Sequence, residues 1–211
     1  MGKLQRVFAT LCGALALGLG IWGAELAVSS PDREPVLLET DPGISQTAQS
    51  LLDSLCDGNP EALSQYLVGN PSLSAPTGGS AESRVWEAYV GSISYRLEGD
   101  VYGTNQGPAM DVTMEALDLE KLCRRVQTLV PQALERQIAS AQDIQELYDS
   151  HTSYRQEVID RALLESLEQA LAEGPETKET PLTLHFSYQG TWLVQPEKAL
   201  VVFLSGNITG A

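Results

Sequence analysis

The chain has 211 residues, of which 28 are acidic and 13 basic, so its formal net charge is −15, and 43% of its residues are hydrophobic. This length and hydrophobic content are typical of one folded domain and argue against extensive disorder. The acidic balance argues against nucleic acid as a partner, because phosphate backbones are bound by clustered lysines and arginines. The only adjacent basic pair beyond the N-terminus is Arg124-Arg125.

Residues 1–29 are predicted to be a signal peptide or a signal anchor. Lys3 and Arg6 precede an uncharged apolar run at 7–24, and basic residues before such a run keep that end of the chain in the cytoplasm. The run is longer than the apolar part of most signal peptides, about 7–15 residues, and close to the roughly 20 that span a bilayer. Cleavage after Ser29 and retention as a single-pass anchor both stay open. In either case we expect the rest of the chain to be extracytoplasmic.

A linker at 30–40 leads into a single domain that we assign to residues 41–211. Asp41-Pro42 is a strong helix start, with an aspartate as the N-cap and a proline in the first turn, and Gly58 is a typical helix end. Asn59-Pro60 begins a second, short helix by the same rule. The domain therefore opens with two helices.

The middle of the chain changes from a helical period to a period of two. A loop at 69–80 precedes a short helix at 82–89. Apolar residues then alternate with polar ones along 93–97 and 110–116, and the segment 103–107 between them has the composition of a turn. This pattern predicts a hairpin with one apolar and one polar face.

Charge favours one register of this hairpin. Placing Arg96 opposite Asp111 pairs opposite charges. Sliding the strands by two residues instead brings Glu98 opposite Asp111. Opposite charges across a strand pair stabilise it by roughly 0.2–1 kcal/mol, whereas like charges destabilise it. We therefore predict that Arg96 faces Asp111.

Two helical segments and a second hairpin complete the domain. Helical spacing resumes at 118–140, where Pro131 predicts a kink or a break, and again at 153–173. A hairpin with alternating apolar residues follows at 182–194, and a closing helix is predicted from 196 to 204. Helices segregated from antiparallel strands indicate the α+β class, with the sheet packed on the helices.

The stretches SYRLEGDVYG, AMDVTMEALDLEKL and SYQGTWLVQPEKALVVFLSGN resemble the strand–strand and terminal Trp-strand-helix pattern of the NTF2-like superfamily. More narrowly, they resemble uncharacterised extracytoplasmic members from Gram-positive bacteria, over about residues 41–207. The resemblance implies a curved antiparallel sheet of the NTF2-like or cystatin-like kind, often enclosing an apolar pocket. The helical stretch at 118–173 is longer than in a typical member. Because the superfamily contains both enzymes and binding modules, the fold does not decide the function.

Aromatic and methionine side chains of the predicted sheet and short helix are the candidate lining of such a pocket. The alternative for the same side chains is an ordinary packed core. The candidate ligand-binding residues are Trp86, Tyr95, Met110, Met114, Phe186 and Trp192.

Two cysteines, Cys56 and Cys123, remain when Cys12 in the apolar run is set aside. Extracytoplasmic compartments permit disulfides, so the two can form a bridge. The alternative is two separate thiols on two helices, since unbridged cysteines favour burial. Both alternatives stay open at the level of the sequence.

The histidines do not form a catalytic or metal-binding motif. His185 alternates with apolar neighbours and is predicted to face solvent, and His151 lies where a helix is expected to start. Zinc sites need closely spaced cysteines and histidines, and the chain has no such spacing. We therefore predict no metal and no cofactor.

Three acidic residues around the second strand of the first hairpin are the candidates for a general base. Asp111 and Glu115 fall on the polar face of that strand, and Asp118 is placed to cap the following helix. These positions favour structural roles for all three carboxylates.

The sequence therefore favours an extracytoplasmic, non-enzymatic binding or accessory domain of the cell envelope. Its partner is an unidentified protein or a small apolar molecule, and the membrane is a partner through the N-terminal segment if that segment is not cleaved. The alternative is a general acid/base enzyme that uses a polar group in an NTF2-like pocket. A cavity on the sheet, and the polar groups that face it, would distinguish the two.

Overall fold

The computed structural model describes residues 41–71, 80–143, 145, 147–150 and 153–204. The predicted signal segment, the linker, His151 and the end of the predicted domain lie outside the described residues. Over the described part the chain is α+β, with an antiparallel sheet packed against helices, and this prediction is confirmed.

The described elements alternate between helical and extended blocks along the chain. The helices are α1 (Pro42–Cys56), α2 (Pro60–Gln65), α3 (Ser80–Val90), α4 (Leu119–Ser140), α5 (Gln156–Ala172) and α6 (Lys198–Leu204). The strands are β1 (Ser94–Leu97), β2 (Tyr102–Thr104), β3 (Gly107–Leu117), β4 (Tyr148–Ser150), β5 (Ser153–Tyr154), β6 (Thr177–Tyr188) and β7 (Trp192–Val194). The main sheet has the order β1-β3-β6-β7, and β2 also pairs with β3, whereas β4 and β5 form a separate hairpin.

The predicted capping signals form helix caps. The side chains of Asp41, Asn59 and Asp118 accept hydrogen bonds of 2.8–3.0 Å from backbone N–H groups in the first turns of α1, α2 and α4. Each bond satisfies an N–H group that has no partner within its helix. Pro131 lies inside α4, which continues through it as one helix, so the proline does not break the helix.

The core lies between the helices and one face of the sheet. The even-numbered side chains from 110 to 116 on β3 and from 182 to 186 on β6 are buried, as the alternation predicts. Directly paired residues such as Met110 and Leu184 share this face. They pack with apolar residues of all six helices, so that burial of the sheet and burial of the helices depend on each other.

The predicted register of the first hairpin is wrong. Arg96 lies opposite Thr113, not Asp111, and the backbone N–H of Glu98 donates to the carbonyl of Asp111 at 2.9 Å. Two acidic residues therefore face each other across the strands. Glu98 accepts a 2.9 Å hydrogen bond from Nε of Arg96, and the Thr113 hydroxyl, followed by Arg96, lowers the pKa of Glu98. These donors offset the like-charge contact.

Backbone geometry sets this register. From Leu97 to Tyr102 the edge strand advances five residues, while β3 advances only three, from Val112 to Ala109. The two extra residues form a bulge in which Gly99 adopts a φ of 105°, a conformation that favours glycine. The turn alone would set the strands four residues from the register that charge favours, and the bulge moves them back by only two.

The sequence does not predict two features of the second half. Tyr148 and Tyr154 stack at 4.7 Å across the β4–β5 hairpin, and α5 begins only after it. Strand β6 begins at Thr177, earlier than the alternation indicates. Pro181 fits within it because β7 pairs only with the other end of β6, so that one side of the Pro181 backbone needs no partner strand.

Candidate functional site

The structure distributes the six candidate ligand-binding residues over the core and the surroundings of α1. Three of them are buried in the core at 2% exposure or less: Met110, Met114 and Phe186. The other three are half-buried: Trp86, Tyr95 and Trp192. The core face of the sheet is thus occupied by the side chains that the sequence assigns to a pocket.

Trp192 contacts the N-terminal end of α1. Its indole Nε1–H donates to Oδ2 of Asp41 at 2.9 Å, and its carbonyl accepts a 3.3 Å hydrogen bond from the Thr47 hydroxyl. The indole bond, followed by the bond from the N–H of Gly43, lowers the pKa of Asp41. Tyr188 packs edge-on against the indole at 5.2 Å and is itself 63% exposed. The tip of the β6–β7 hairpin therefore sits beside the first residue that the structure describes.

Tyr95 connects β1 to the C-terminal half of α1. Its hydroxyl donates to Oδ1 of Asp53 at 2.8 Å. Burial, followed by this acceptor and its charge, raises the pKa of Tyr95 to about 12. The contact fixes the strand on the helix and leaves the phenol uncharged at neutral pH.

Trp86 lines an apolar recess at the C-terminal end of α1, which we call the Trp86 recess. The cavity volume of the recess is about 20 Å³. That is room for one small apolar group, far below the roughly 300–1,000 Å³ of a small-molecule site. Its lining residues are Ser54, Leu55, Gly58, Asn59, Pro60, Leu63, Trp86, Tyr89, Val90, Ile93 and Leu204.

The prediction that His185 faces solvent is wrong, since only 9% of the residue is exposed. It lies in a row across the sheet in which Tyr102 pairs with Ala109, Ala109 with His185, and the N–H of Gln195 donates to the His185 carbonyl at 2.8 Å. The chain then brings Glu197 back over the strand, with Oε1 at 2.8 Å from His185 Nδ1. The histidine is therefore enclosed on the face of the sheet opposite the core, which we call the polar face.

The contact between His185 and Glu197 lacks hydrogen-bond geometry despite its length. Nδ1 is fully buried, and Glu197 approaches it at an angle that does not form a hydrogen bond. Among the described atoms, Nδ1 therefore has no hydrogen-bond partner. Such a contact becomes an ion pair when the imidazole takes up a proton. Sequence reasoning misses it because Glu197 lies beyond the end of β7.

Asp111 is a further carboxylate on the polar face, and two side-chain hydroxyls donate to it. Its Oδ1 accepts hydrogen bonds from Tyr102 at 2.8 Å and from Thr183 at 2.7 Å. Burial, followed by the Asp111 acceptor, raises the pKa of Tyr102. Glu115 accepts a hydrogen bond from Thr177, and Asp118 caps α4 as predicted. All three candidate bases therefore hold structural hydrogen bonds.

The structure holds Cys56 and Cys123 as thiols rather than as a disulfide. Cys56 lies at the end of α1, where burial, followed by Asp53 and Asp57, raises the pKa of its thiol. Among the described residues, no three His, Cys, Asp or Glu side chains are grouped to hold a metal ion. Over the same residues, no helix has both the length and the apolar character needed to cross a membrane.

No family model matches the chain, and neither a curated protein nor a solved structure is significantly similar to it. The NTF2-like resemblance therefore stays a prediction. What can be said of function rests on the two surfaces just described, the Trp86 recess and the polar face.

Proposed function

We propose that the chain is an extracytoplasmic, non-enzymatic binding or accessory domain of the cell envelope, and that its partner is a protein. The Trp86 recess supports this proposal. It is apolar, it opens beside a half-buried tryptophan, and its volume of about 20 Å³ suits the tip of one side chain. Tryptophan beside a small apolar recess is typical of the residues that dominate binding energy at protein interfaces.

A small apolar ligand is the less favoured partner. An NTF2-like pocket would lie on the core face of the sheet, where Met110, Met114 and Phe186 are packed at 2% exposure or less. A ligand of ordinary size would have to displace these side chains, and moving tightly packed core side chains costs free energy. A protein side chain entering the Trp86 recess requires no such rearrangement.

Location can be tested by protease accessibility. The full chain, with a C-terminal epitope, is produced in bacteria, and protease is added to intact protoplasts and to lysed cells. We expect degradation in both, because Lys3 and Arg6 before the apolar run direct the acidic body outward. A body that is protected in protoplasts and degraded only after lysis would refute the extracytoplasmic location.

Partner binding can be tested by replacing Trp86 with a photo-crosslinking amino acid in the full chain. We expect a crosslinked product in cells that Ser54→Arg abolishes, because the guanidinium would fill the mouth of the recess. The matched control carries the crosslinker at the exposed Gln132 on α4. Products that form equally at both positions would contradict the proposal. A product with the mass of the chain alone would instead identify an intramolecular occupant, such as the segment that follows Leu204.

The contact between His185 and Glu197 favours the enzyme as a second candidate. A buried histidine beside a carboxylate is a common acid/base arrangement. However, only 11% of the His185 side chain is exposed, which leaves a substrate little surface to reach. If the chain is such an enzyme, His185→Gln abolishes a hydrolytic or isomerising activity without unfolding the protein. If the folded variant keeps every activity of the parent, the enzyme is excluded.

A further inference from the structure

One end of this acidic molecule carries almost no charge. Residues 42–52, 62–71 and 186–196 contain no Asp, Glu, Lys or Arg, although 19% of the whole chain is charged. We call the surface that they form the neutral end. It consists of most of α1, the end of α2 with the segment that follows, and the β6–β7 hairpin, and the exposed carboxylate of Asp41 lies at its border.

These three segments are adjacent in space as well as alike in composition. The N–H of Val68 donates to the carbonyl of Val194 at 2.9 Å, and the N–H of Val194 donates to the carbonyl of Tyr66 at 2.8 Å. The Thr47 hydroxyl reaches the carbonyl of Trp192 on the same hairpin. The neutral end is therefore one continuous part of the fold.

Two aromatic side chains are at the tip of the neutral end. Tyr188 is 63% exposed and packs edge-on against Trp192, and the residues between them are Gln189, Gly190 and Thr191, all exposed. Aromatic rings with a polar atom, surrounded by amides and hydroxyls, are the side chains enriched at the interface between membrane and water. An acidic surface elsewhere on the molecule is unfavourable beside anionic lipid.

The neutral end is also the end at which the chain enters the fold. Asp41, bonded to Trp192, is the first described residue, and sixteen residues separate it from the apolar run at 7–24. Even fully extended, these residues span at most about 60 Å. A tether of this length raises the effective concentration of the domain at the membrane to roughly the millimolar range, so that weak contacts are populated.

We infer that the neutral end lies against the lipid headgroup region of the membrane that anchors the chain, with Tyr188 and Trp192 as its contact residues. This inference rests on the proposed extracytoplasmic function, in the form in which the apolar run is retained as an anchor. The Trp86 recess, at the other end of the roughly 22 Å helix α1, then points away from the membrane, where a protein partner can reach it.

The three tryptophans of the chain allow a direct test. Three full-length variants each keep a single tryptophan, Trp22, Trp86 or Trp192, and carry phenylalanine at the other two positions. Each is reconstituted into phosphatidylcholine vesicles that contain lipids with a nitroxide quencher, either on the headgroup or deep in the acyl chain. Trp22 lies near the outer end of the apolar run, so we expect both quenchers to reduce its emission. We expect the headgroup quencher to reduce emission from Trp192, and neither quencher to affect Trp86.

The outcomes separate the inference from the proposal on which it rests. Unquenched Trp22 would show that the apolar run does not insert, and would overturn the anchored form of the proposed function. Quenched Trp22 with Trp192 no more quenched than Trp86 would overturn the inference alone. Tyr188→Asp in the Trp192 variant should lessen the headgroup quenching, whereas Gln132→Asp on the exposed face of α4 should not. Equal quenching in both would also overturn it.

Discussion

The hydroxyl of Tyr89 donates a 2.7 Å hydrogen bond to the main-chain carbonyl of Phe203, from helix α3 to helix α6. Both residues are fully buried, at 1% and 0% exposure, and their rings lie 6.1 Å apart. Burial raises the pKa of Tyr89, because the phenolate would be placed among apolar side chains. This bond is a polar contact that holds the last described helix on the core.

Removing that hydroxyl tests how firmly α6 is held. Tyr89→Phe leaves the buried carbonyl of Phe203 without its donor, and we expect the free energy of unfolding to fall by about 1–3 kcal/mol. Urea unfolding followed by circular dichroism measures the change. Tyr188→Phe removes a hydroxyl from a side chain that is 63% exposed, and should stay within about 0.5 kcal/mol of the parent. Equal urea midpoints for the two variants would contradict the expectation.

Gln137 on α4 offers the opposite test, a substitution that stabilises. It is 8% exposed, and neither amide atom has a hydrogen-bond partner among the described atoms. Replacing it with Met, which has a similar shape and no unpaired amide, should raise the free energy of unfolding by about 1 kcal/mol. The same change at the exposed Gln132, one turn and a half earlier, is the control and should have little effect. If Gln137→Met destabilises the protein, the amide has a partner that it needs.

Alanine substitutions at two glycines with positive φ distinguish the cost of backbone strain from the cost of steric overlap. Gly58 has a φ of 64°, and a Cβ there would lie 2.5 Å from Cγ1 of Val90, whereas Gly69 has a φ of 82° and open space around it. Gly69→Ala should cost roughly 1 kcal/mol from φ alone, and Gly58→Ala roughly 1–3 kcal/mol more because it overpacks the site. Adding Val90→Ala should recover part of the second cost. Thermal denaturation of the three variants gives the comparison, and a similar loss at both glycines would mean that Val90 moves aside freely.

The carboxylate of Asp41 makes stability depend on pH in the acid range. Its folded-state pKa is lowered by the bonds from Trp192 and Gly43, so the charge stabilises the fold above the ordinary pKa of 3.8, and this contribution is lost as the pH falls through the lower folded value. Asp41→Asn keeps an oxygen acceptor but no charge. We therefore expect the parent to be more stable than Asp41→Asn near neutral pH, with the difference decreasing as the pH falls below 3.8.

Trp192→Phe provides the control for that experiment. In this background the indole donor is gone, so the difference between Asp and Asn at position 41 should become smaller and depend less on pH. Urea midpoints at several pH values measure all four proteins. A difference that is unchanged by Trp192→Phe would assign the effect to the helix N-terminus alone.

Local signals predict the elements of this fold well, and long-range placement less well. Asp41, Asn59 and Asp118 mark helix starts because a cap depends on only a few neighbouring residues. The register of β1 on β3 is set by the turn at 104–107, and the bulge around Gly99 moves the strands back by only two of the four residues that pairing Arg96 with Asp111 would require. A preference of a few tenths of a kcal/mol does not compete with backbone geometry.

The same difference between local signals and long-range placement explains which parts of the candidate site the sequence predicts. Alternation correctly places His185 on the face opposite the core, but it says nothing of what covers that face. The register of the second hairpin is the feature that would have indicated the position of Glu197. Phe186 pairs with Val194, and the N–H of Gln195 donates to the His185 carbonyl, so the residues just after Gln195, which include Glu197, lie near His185. Reaching this conclusion requires the exact turn, which the sequence alone leaves open.

The margins of the main sheet have a consequence for contacts between copies of the chain. At the β1 edge of the sheet, the bulge after β1 interrupts the row of unpaired backbone N–H and C=O groups. At the opposite edge, residues 66–68 form hydrogen bonds with the backbone of β7. The stretch of β6 that β7 does not pair with carries Lys178, Glu179 and Pro181. The described residues therefore offer neighbouring copies no long strand margin that lacks a bulge, a charge or a proline, which disfavours fibril growth through these sheets.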